Sequence, residues 1–348
     1  MSLQERVLTQ LEKLPPRPFY AATEPDFTSN DYLSLVRDGV IAQLWRSLPS
    51  TLYRGSTGSR YLGGDDPAYS ALEASLLSLW GQPAEQALFF PSGFIANLTF
   101  WGVVPQRGDT VIFDREVHAS IRHGLRWSGA TCWGFPHNHW EEAEKLLRQA
   151  RGETFLVVES LYSMRGTHPP ADAINYLMQK YAPYLVVDEA HTTLLYPNSW
   201  SLSQGLKPFA RLFTFGKAVG VVGAAWLAPT WLIEYLRRKG FPNIYTTALP
   251  PVIPRLITEV LRRSEQWEER RKSLFQLIGE TAAWMREHNI TFWGLEGPIA
   301  LLPAEGKALP LKKLYPPTVA VPAYRLSLHA HNTIEEVKGL WGNGAVGC

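Results

Sequence analysis

The chain has 348 residues, which is enough for a large hydrophobic core and for one large and one small domain. Its 34 basic and 32 acidic side chains nearly cancel, so the charge balance gives no sign of binding to nucleic acid or to a membrane surface. The two cysteines exclude a disulfide framework and a zinc-binding spacing, and no metal site is predicted. The chain opens without an apolar signal core, and none of its apolar runs reaches the ~18 residues of a membrane span, which predicts a soluble, cytoplasmic protein.

Apolar runs of strand length alternate with helical segments over the first two thirds of the chain. After an N-terminal helix over 2–14, the spacing predicts helices over 67–80, 93–103, 140–150 and 173–181, and one that begins at 118. Strands are predicted at 87–90, 110–113, 131–135, 154–159, 184–188, 212–215 and 223–227. This alternation predicts an α/β domain, with a mostly parallel sheet and helices on both faces. We place it at residues 50–249, after an N-terminal helix and arm at residues 1–49.

The pattern changes at residue 250. A long helical segment over 253–288 is followed by short predicted strands near Thr291, near Ile299 and at 324–328. Thr333 and Glu336 fit a capping box for a last helix over 335–341. Residues 250–348 are therefore predicted to form a second, smaller α+β domain.

The stretch from Tyr184 to Gly223 organises the predicted site. A buried strand ends at Asp188 and is followed by His191, and a second apolar run delivers Lys217 just past a glycine. Because open α/β sheets bind ligands at the carboxyl ends of their strands, we expect these three side chains to converge. A lysine for a Schiff base and an aspartate for a pyridine nitrogen are what a protein contributes to pyridoxal phosphate chemistry. The stretch therefore predicts pyridoxal 5'-phosphate as a cofactor.

The same residues also have simpler interpretations. A single aspartate or lysine after a strand is most often a solvated loop residue. Asp188-Glu-Ala-His191 is also the spelling of a helicase box, which requires a phosphate loop that ends in Gly-Lys-Ser or Gly-Lys-Thr. The two Gly-Lys pairs, at Lys217 and Lys307, are each followed by alanine, which excludes the helicase interpretation.

A strand-to-helix corner at Ser92, Gly93 and Phe94 is a candidate phosphate site. The free backbone N–H groups at a helix N-terminus bind anions. Taken by itself the corner is weak support, because every βα unit has one. A glycine-dense loop over 55–64, beside Arg60, indicates a backbone that another group approaches closely.

Short motifs from one end of the chain to the other occur in the order typical of a known enzyme family. The eleven motifs are Asn30-Asp-Tyr-Leu33, Gly58-Ser-Arg60, Ser92-Gly-Phe94 with Ala96-Asn97, His118-Ala-Ser120, His137-Asn138, Glu159 with Ser163-Met164, Asp188-Glu-Ala-His191, Thr214-Phe-Gly-Lys217, Tyr245-Thr-Thr247 with Pro250-Pro251, Pro316-Pro-Thr-Val319 and Arg325-Leu-Ser-Leu328. On these motifs the chain resembles the α-oxoamine synthase family of fold-type I pyridoxal phosphate enzymes. The resemblance implies the three-layer fold of that family and the activity of a pyridoxal-phosphate-dependent acyltransferase.

The resemblance also implies a role for each residue around the cofactor. Lys217 would hold the cofactor and then remove the Cα proton of the amino acid, while Asp188 would keep the pyridine nitrogen protonated. His191 would bond to the ring oxygen, and His118 would stack on the ring face. The remaining cofactor contacts would come from Ser163 at the ring oxygen, from Ser92, Gly93, Phe94 and Thr214 at the phosphate, and from Thr246 or Thr247 of the second subunit of a homodimer.

The implied substrates are an amino acid and an acyl thioester, which condense with loss of carbon dioxide. Arg325 would clamp the amino-acid carboxylate through two parallel hydrogen bonds, assisted by Asn30, which is expected from across the subunit interface. We favour L-alanine and a pimeloyl thioester, carried on coenzyme A or on a carrier protein, which would give a precursor of biotin. Three alternatives stay open: a relative that uses glycine or serine, an aldolase or aminotransferase with the same cofactor, and a degenerate subunit that supports an active partner.

The chain departs from the family pattern at three places. Thr192-Thr193-Leu194 follows His191 where the family commonly has Gly-Thr-Gly, Arg165-Gly-Thr167 stands where Asp-Gly-Asp is common, and Tyr315 stands where an arginine is usual. We expect these positions to lie around the acyl donor. Arg165 then has two interpretations, either as a positive charge that suits an acidic acyl chain or as a solvated loop residue.

Overall fold

A seven-stranded sheet forms the centre of the larger part of the molecule. The computed structural model describes residues 2–12, 24–304, 309, 311–314 and 322–342. The strands of this sheet are β1 (Glu85–Phe90), β2 (Thr110–Asp114), β3 (Thr131–Phe135), β4 (Thr154–Glu159), β5 (Tyr184–Asp188), β6 (Ala210–Thr214) and β7 (Ala224–Pro229), in the order β1-β7-β6-β5-β4-β2-β3. Only β7 runs antiparallel to its neighbours. The predicted, mostly parallel sheet is confirmed.

Thirteen α-helices are found among the described residues. They are α1 (Leu3–Leu11), α2 (Val40–Ser47), α3 (Pro67–Trp80), α4 (Gly93–Val103), α5 (Ala119–Ser128), α6 (Trp140–Gln149), α7 (Ala171–Tyr181), α8 (Trp200–Ser203), α9 (Thr230–Lys239), α10 (Phe241–Ile244), α11 (Val252–Leu261), α12 (Glu268–Glu287) and α13 (Ile334–Gly339). The predicted helix starts at Pro67, Gly93 and Trp140 are confirmed. No helix in the described part of the chain is long and apolar enough to cross a bilayer.

Helices cover both faces of the sheet because successive strand residues point to opposite sides. In β5, Val186 packs in the same core as α4, α5 and α9, whereas Leu185 and Val187 pack with α6 and α7. A strand that is buried on both faces reads as a continuous apolar run. This is why β5 was predictable from the sequence, and the result is a three-layer fold.

A second sheet of four antiparallel strands lies in the C-terminal part. Its strands are β8 (Trp293–Gly294), β9 (Ile299–Pro303), β10 (Lys312–Leu314) and β11 (Ala323–Ser327), in the order β10-β11-β9-β8. The sequence did not predict β10, because an edge strand that opens with two lysines lacks the alternating apolar pattern. The capping box at Thr333 is confirmed at the start of α13.

One hydrophobic core joins this sheet to the large one. Leu326 of β11, Leu256 of α11 and Leu72 of α3 belong to the same buried cluster. The predicted domain boundaries at 49/50 and 249/250 stay predictions. Tyr315 and the motif at 316–319 lie outside the described residues, as does the predicted end of the first helix at residues 13–14.

The helical segment predicted over 253–288 is confirmed, but it is not one continuous helix. The segment is broken into α11 and α12 by a short 3-10 turn, Ser264–Trp267. The turn brings the indole of Trp267 back over the end of α11, where its Nε1 donates to the carbonyl of Val260 at 3.0 Å. Trp267 is thereby buried.

Candidate active site

A cavity of about 1390 Å3 opens at the carboxyl edge of the parallel strands. The loops that follow β2, β4, β5 and β6 form one side of it, and β11 and the turn around Asn30 face them. The predicted site residues that line this cavity are Asn30, Ser92, Gly93, Phe94, His118, Ser163, Asp188, His191, Thr214, Lys217 and Arg325. The structure therefore brings together in one chain most of the residues that the sequence assigned to one site. Asn30 accepts a hydrogen bond from Arg325 of its own chain at 2.9 Å, so the expectation that it comes from across the subunit interface is wrong.

Lys217 lies three residues past the end of β6, in the wall of the cavity. Its Nζ donates to Thr214 Oγ1 at 3.0 Å. Burial lowers the pKa of Lys217, and the positive charge of Arg325 lowers it further, while Asp188 and Glu159 act in the opposite direction. The amine is thus neutral, and able to act as a nucleophile or base, over a wider pH range than an exposed lysine.

Asp188 ends β5 and is held by a donor on each carboxylate oxygen. The N–H of Ala190 donates to Oδ1 at 3.0 Å, and Nδ2 of Asn97 donates to Oδ2 at 3.0 Å. Asn97 lies on α4, is buried, and also bonds to Ser120 Oγ at 3.0 Å. Two donors and burial fix the direction of the carboxylate. The sequence analysis assigned no role to Asn97, although the residue occurs in one of its motifs.

His118 caps α5 and is exposed to the cavity. Its Nδ1 lies 2.7 Å from Ser120 Oγ, and its backbone N–H donates to the carboxylate of Glu159. Glu159 ends β4 directly beside Asp188 in the sheet register. Burial, reinforced by the negative charge of Asp188, raises the pKa of Glu159 well above its usual range. Glu159 therefore fixes the position of His118 through its backbone N–H, a role that was not predicted from the sequence.

His191 is buried, and its Nδ1 lies 2.7 Å from the hydroxyl of Tyr32. Burial and the nearby charges of Lys217 and Arg325 lower the pKa of His191 well below its usual range. Burial likewise raises the pKa of Tyr32 to about 12. Both groups are therefore neutral near pH 7, as hydrogen-bonding groups rather than charges.

The N-terminus of α4 points free backbone N–H groups into the cavity that also contains Lys217 and Thr214. Ser92 is the N-cap, and its Oγ accepts from the N–H of Ile95 at 3.3 Å. Among the described residues, nothing accepts a hydrogen bond from the N–H groups of Gly93 and Phe94. A Cβ at Gly93 would lie 2.7 Å from Thr214 Cγ2, so only glycine allows this close approach. Two free donors at a helix N-terminus fit a phosphate group.

Arg325, on β11, faces this site with its guanidinium held on three sides. Nε donates to the carbonyl of Ser163 at 2.8 Å, Nη2 to Asn30 Oδ1 at 2.9 Å and Nη1 to Ser327 Oγ at 2.6 Å. These bonds fix the plane of the Arg325 guanidinium beside His191 and Lys217. An arginine presented in this way suits a carboxylate that binds through two parallel bonds.

Two of the positions that depart from the family pattern lie away from the cavity. Thr192 and Thr193 are buried, and they bond to Ser160 Oγ at 2.6 Å and to the carbonyl of Glu189 at 2.8 Å. They fill the core below β5, so the expectation that they surround the acyl donor is wrong. Arg165 does not line the cavity either, and its Nε forms an ion pair with Glu116. A role for Arg165 toward an acidic acyl chain stays a prediction.

Thr246 and Thr247 lie outside the Lys217 cavity of their own chain. Thr246 borders a second, apolar cavity of about 920 Å3, and Thr247 is exposed. The predicted contact of either residue with a cofactor phosphate therefore requires a second copy of the chain, and it stays a prediction.

The site has the residues and the order of a known family. Residues 24–309 match the family described as Aminotransferase class I and II. The chain is 30% identical, over 322 residues, to the 8-amino-7-oxononanoate synthase of Salmonella enteritidis, covering 87% of this chain and 83% of that protein. The chain belongs to the α-oxoamine synthase group of this family. Its members are pyridoxal-phosphate-dependent acyltransferases, and pyridoxal 5'-phosphate is the cofactor.

Solved structures of this group have the same fold. The serine palmitoyltransferase of Sphingomonas wittichii superposes with a TM-score of 0.85 at 22% identity, covering 98% of this chain and 94% of that one. The 8-amino-7-oxononanoate synthase of Francisella tularensis superposes with a TM-score of 0.77 at 25% identity, covering 90% and 94%. The likeness to the palmitoyltransferase is one of fold alone.

The residues present fit the cofactor of the family. The α4 N-terminus supplies free donors for its phosphate, Asp188 a buried carboxylate for its pyridine nitrogen, and Lys217 an amine of lowered pKa for its aldehyde. His118 and His191 line the same cavity.

Proposed function

We propose that the protein condenses L-alanine with a pimeloyl thioester, releasing carbon dioxide and forming 8-amino-7-oxononanoate for biotin synthesis. The observation that carries the proposal is the 30% identity to an 8-amino-7-oxononanoate synthase across 87% of the chain. The complete set of cavity residues supports it, because a degenerate subunit has no need of the lysine, the aspartate and the arginine together.

The cofactor, when bound, supplies an electron sink for negative charge at the α-carbon of the amino acid. The chain supplies the proton chemistry and the orientation. Lys217, with its lowered pKa, would hold the aldehyde of the cofactor and accept the proton, and Thr214 Oγ1 fixes the direction of its amine. Asp188, whose two oxygens are held by the Ala190 N–H and Asn97 Nδ2, would stabilise positive charge at the pyridine nitrogen.

Amino-acid binding is assigned to Arg325 and Asn30. In the proposal, the substrate carboxylate takes the place of Asn30 Oδ1 as acceptor for Arg325 Nη2, and Asn30 then donates through its amide. The neighbouring hydroxyl of Tyr32, 2.9 Å from Asn30 Oδ1, keeps the asparagine in place. The substrate is thereby oriented by residues from two different parts of the chain.

We further propose a homodimer with shared active sites. The second cavity, which contains Thr246, is surrounded by exposed aromatic side chains of Trp127 (63% exposed), Phe241 (51%) and Tyr245 (80%). A cluster of exposed aromatic residues of this kind is typical of a protein interface. A partner subunit bound at this surface would bring Thr246 and Thr247 of one chain close to the other chain.

Initial rates with L-alanine, glycine and L-serine, each paired with pimeloyl-CoA and palmitoyl-CoA, test the proposed function. Thiol release monitors every pair. We expect L-alanine with pimeloyl-CoA to give the highest kcat/KM. A preference for glycine or serine would move the assignment to a sister synthase, and product formation without any thioester would indicate an aldolase or aminotransferase.

A further inference from the structure

We propose that Arg122 binds the negatively charged end of the acyl donor, an inference that rests on the proposed condensation. Arg122 lies on α5 and is exposed in the wall of the Lys217 cavity. Neither the sequence motifs nor the comparisons assign it a role. The ligand class is an anionic group, carried either by the far end of the acyl chain or by the phosphates of the thioester carrier.

The position of Arg122 follows from that of His118. The two residues are four apart at the start of α5, so their side chains lie on the same helix face, with Arg122 about 6 Å further along the axis. Both line the cavity. Burial lowers the pKa of His118, and the charges of Lys217 and Arg122 lower it further, so Arg122 lies close to His118. An acyl donor that reacts beside His118 and extends along α5 therefore reaches Arg122.

The other arginines around the cavity are already paired. Arg325 is held by Asn30 and Ser163, Arg37 forms ion pairs with Glu24 and Asp38, and Arg165 is paired with Glu116. Within the described residues, Arg122 has neither a hydrogen bond nor an ion pair. It is thus the cavity-lining guanidinium whose charge is available to a ligand.

Glu116 favours one orientation of the bound acyl donor. Its side chain is 3% exposed and lines the cavity, and Oε2 has no hydrogen-bond partner among the described residues. Arg165 satisfies only Oε1. An anionic acyl end would be repelled by this second oxygen and attracted by Arg122, so the two residues together favour one end point for the donor.

Three donors with Arg122→Gln separate the sources of the anion. Pimeloyl-CoA has both a terminal carboxylate and phosphates, heptanoyl-CoA has only the phosphates, and the pimeloyl thioester of N-acetylcysteamine has only the carboxylate. Arg126→Gln is the matched control, because Arg126 is an exposed arginine one turn further on α5 that does not line the cavity. Donor KM and kcat are measured for each variant, and the KM for L-alanine is measured in parallel.

We expect Arg122→Gln to raise the KM for pimeloyl-CoA about tenfold, with kcat and the KM for L-alanine nearly unchanged. If the rise persists with the N-acetylcysteamine thioester and disappears with heptanoyl-CoA, the anion is the acyl carboxylate. If it persists with heptanoyl-CoA and disappears with the N-acetylcysteamine thioester, the anion is a carrier phosphate. Arg122→Lys should recover part of the affinity, since it keeps the charge without the fork.

Equal KM for wild type and Arg122→Gln with every donor would overturn the inference, as would an effect of the same size on all three donors or with Arg126→Gln. Calorimetric titration of the donors into protein without L-alanine gives a binding constant that does not depend on turnover. A wild-type protein that consumes none of the thioesters would instead refute the proposed function.

Discussion

The substitution Asn97→Leu tests whether the orientation of Asp188 controls cofactor affinity. Asn97 is 2% exposed, and leucine has a similar volume, so the change removes the amide donors without opening a large cavity. Asn97 Oδ1 has no partner among the described residues. The side chain therefore acts through its Nδ2 donors to Asp188 and Ser120, and these are what the substitution removes.

The magnitude follows from the bond that is lost. A hydrogen bond to a charged group contributes about 1.5–3 kcal/mol. Asp188 keeps the bond from the Ala190 N–H, so its carboxylate remains partly held. Because each 1.4 kcal/mol is about a tenfold change in affinity, we expect the dissociation constant of pyridoxal phosphate to rise by about 10–100-fold.

The assay is a fluorescence titration of apoprotein with pyridoxal 5'-phosphate, in a Lys217→Ala background. Without the lysine amine, the affinity reports the non-covalent contacts alone. Ser201→Ala is the matched control, since Ser201 Oγ donates to Glu189, a buried carboxylate next to Asp188 that faces the core. Urea unfolding of each variant confirms that the protein is folded during the titration.

The control variant should lose stability and keep its cofactor affinity. Asn97→Leu should lose affinity even when its stability matches that of the control. If Asn97→Leu binds the cofactor as tightly as its parent, the hydrogen bond to Asp188 does not orient the carboxylate for the cofactor. Equal losses in both variants would show that affinity follows general stability.

Further predictions concern Lys217, Arg325 and the subunit interface. Lys217→Ala should abolish turnover while circular dichroism is unchanged, and retained turnover would contradict the role of the lysine. Arg325→Lys should raise the KM of the amino acid at least about tenfold and leave the affinity for the cofactor unchanged, because it removes the planar fork; equal losses would count against a carboxylate clamp. Burial lowers the pKa of Lys217, so the pH midpoint at which apoprotein binds the cofactor covalently should lie below the ~10.4 of a free lysine. Arg325→Gln removes a nearby positive charge and should therefore raise this midpoint. A midpoint at or above the free value would refute this. Mixing Lys217→Ala protein with a Thr246→Val, Thr247→Val protein should restore about a quarter of wild-type activity if sites are shared between subunits, and no recovery would argue against sharing.

The residues that could be predicted from sequence lie at the ends of buried strands. Asp188 and Lys217 follow continuous apolar runs, and the carboxyl edge of a parallel sheet places such residues together whatever the rest of the fold does. The phosphate corner at Gly93 was predictable for the same reason. Local pattern was sufficient for all three.

The residues that the sequence analysis missed depend on tertiary contacts. Asn97 reaches Asp188 across 91 positions, and Tyr32 reaches His191 across 159. No local periodicity indicates such pairs. A signal was nevertheless available, because Asn97 and Tyr32 both occur in motifs that carried the family resemblance, and a buried polar residue in such a motif needs a partner.

The wrong predictions have the same origin. Thr192 and Thr193 were expected at the acyl donor because they depart from the family pattern, but their hydroxyl groups bond to Ser160 and Glu189 in the core. Within the helical segment over 253–288, the spacing alone did not reveal the 3-10 turn Ser264–Trp267, at which Trp267 is buried. Proximity in sequence does not determine which side of a loop faces the cavity.

The most direct test of the proposed function follows an isotope label through the reaction of L-alanine with pimeloyl-CoA. The substrate is alanine carrying 13C at its carboxylate, and mass spectrometry follows both the carbon dioxide and the amino ketone. The proposed condensation predicts that all of the label leaves as carbon dioxide and that unlabelled 8-amino-7-oxononanoate forms in equal amount with free coenzyme A. Label retained in an organic product, or alanine consumed without release of coenzyme A, would contradict it.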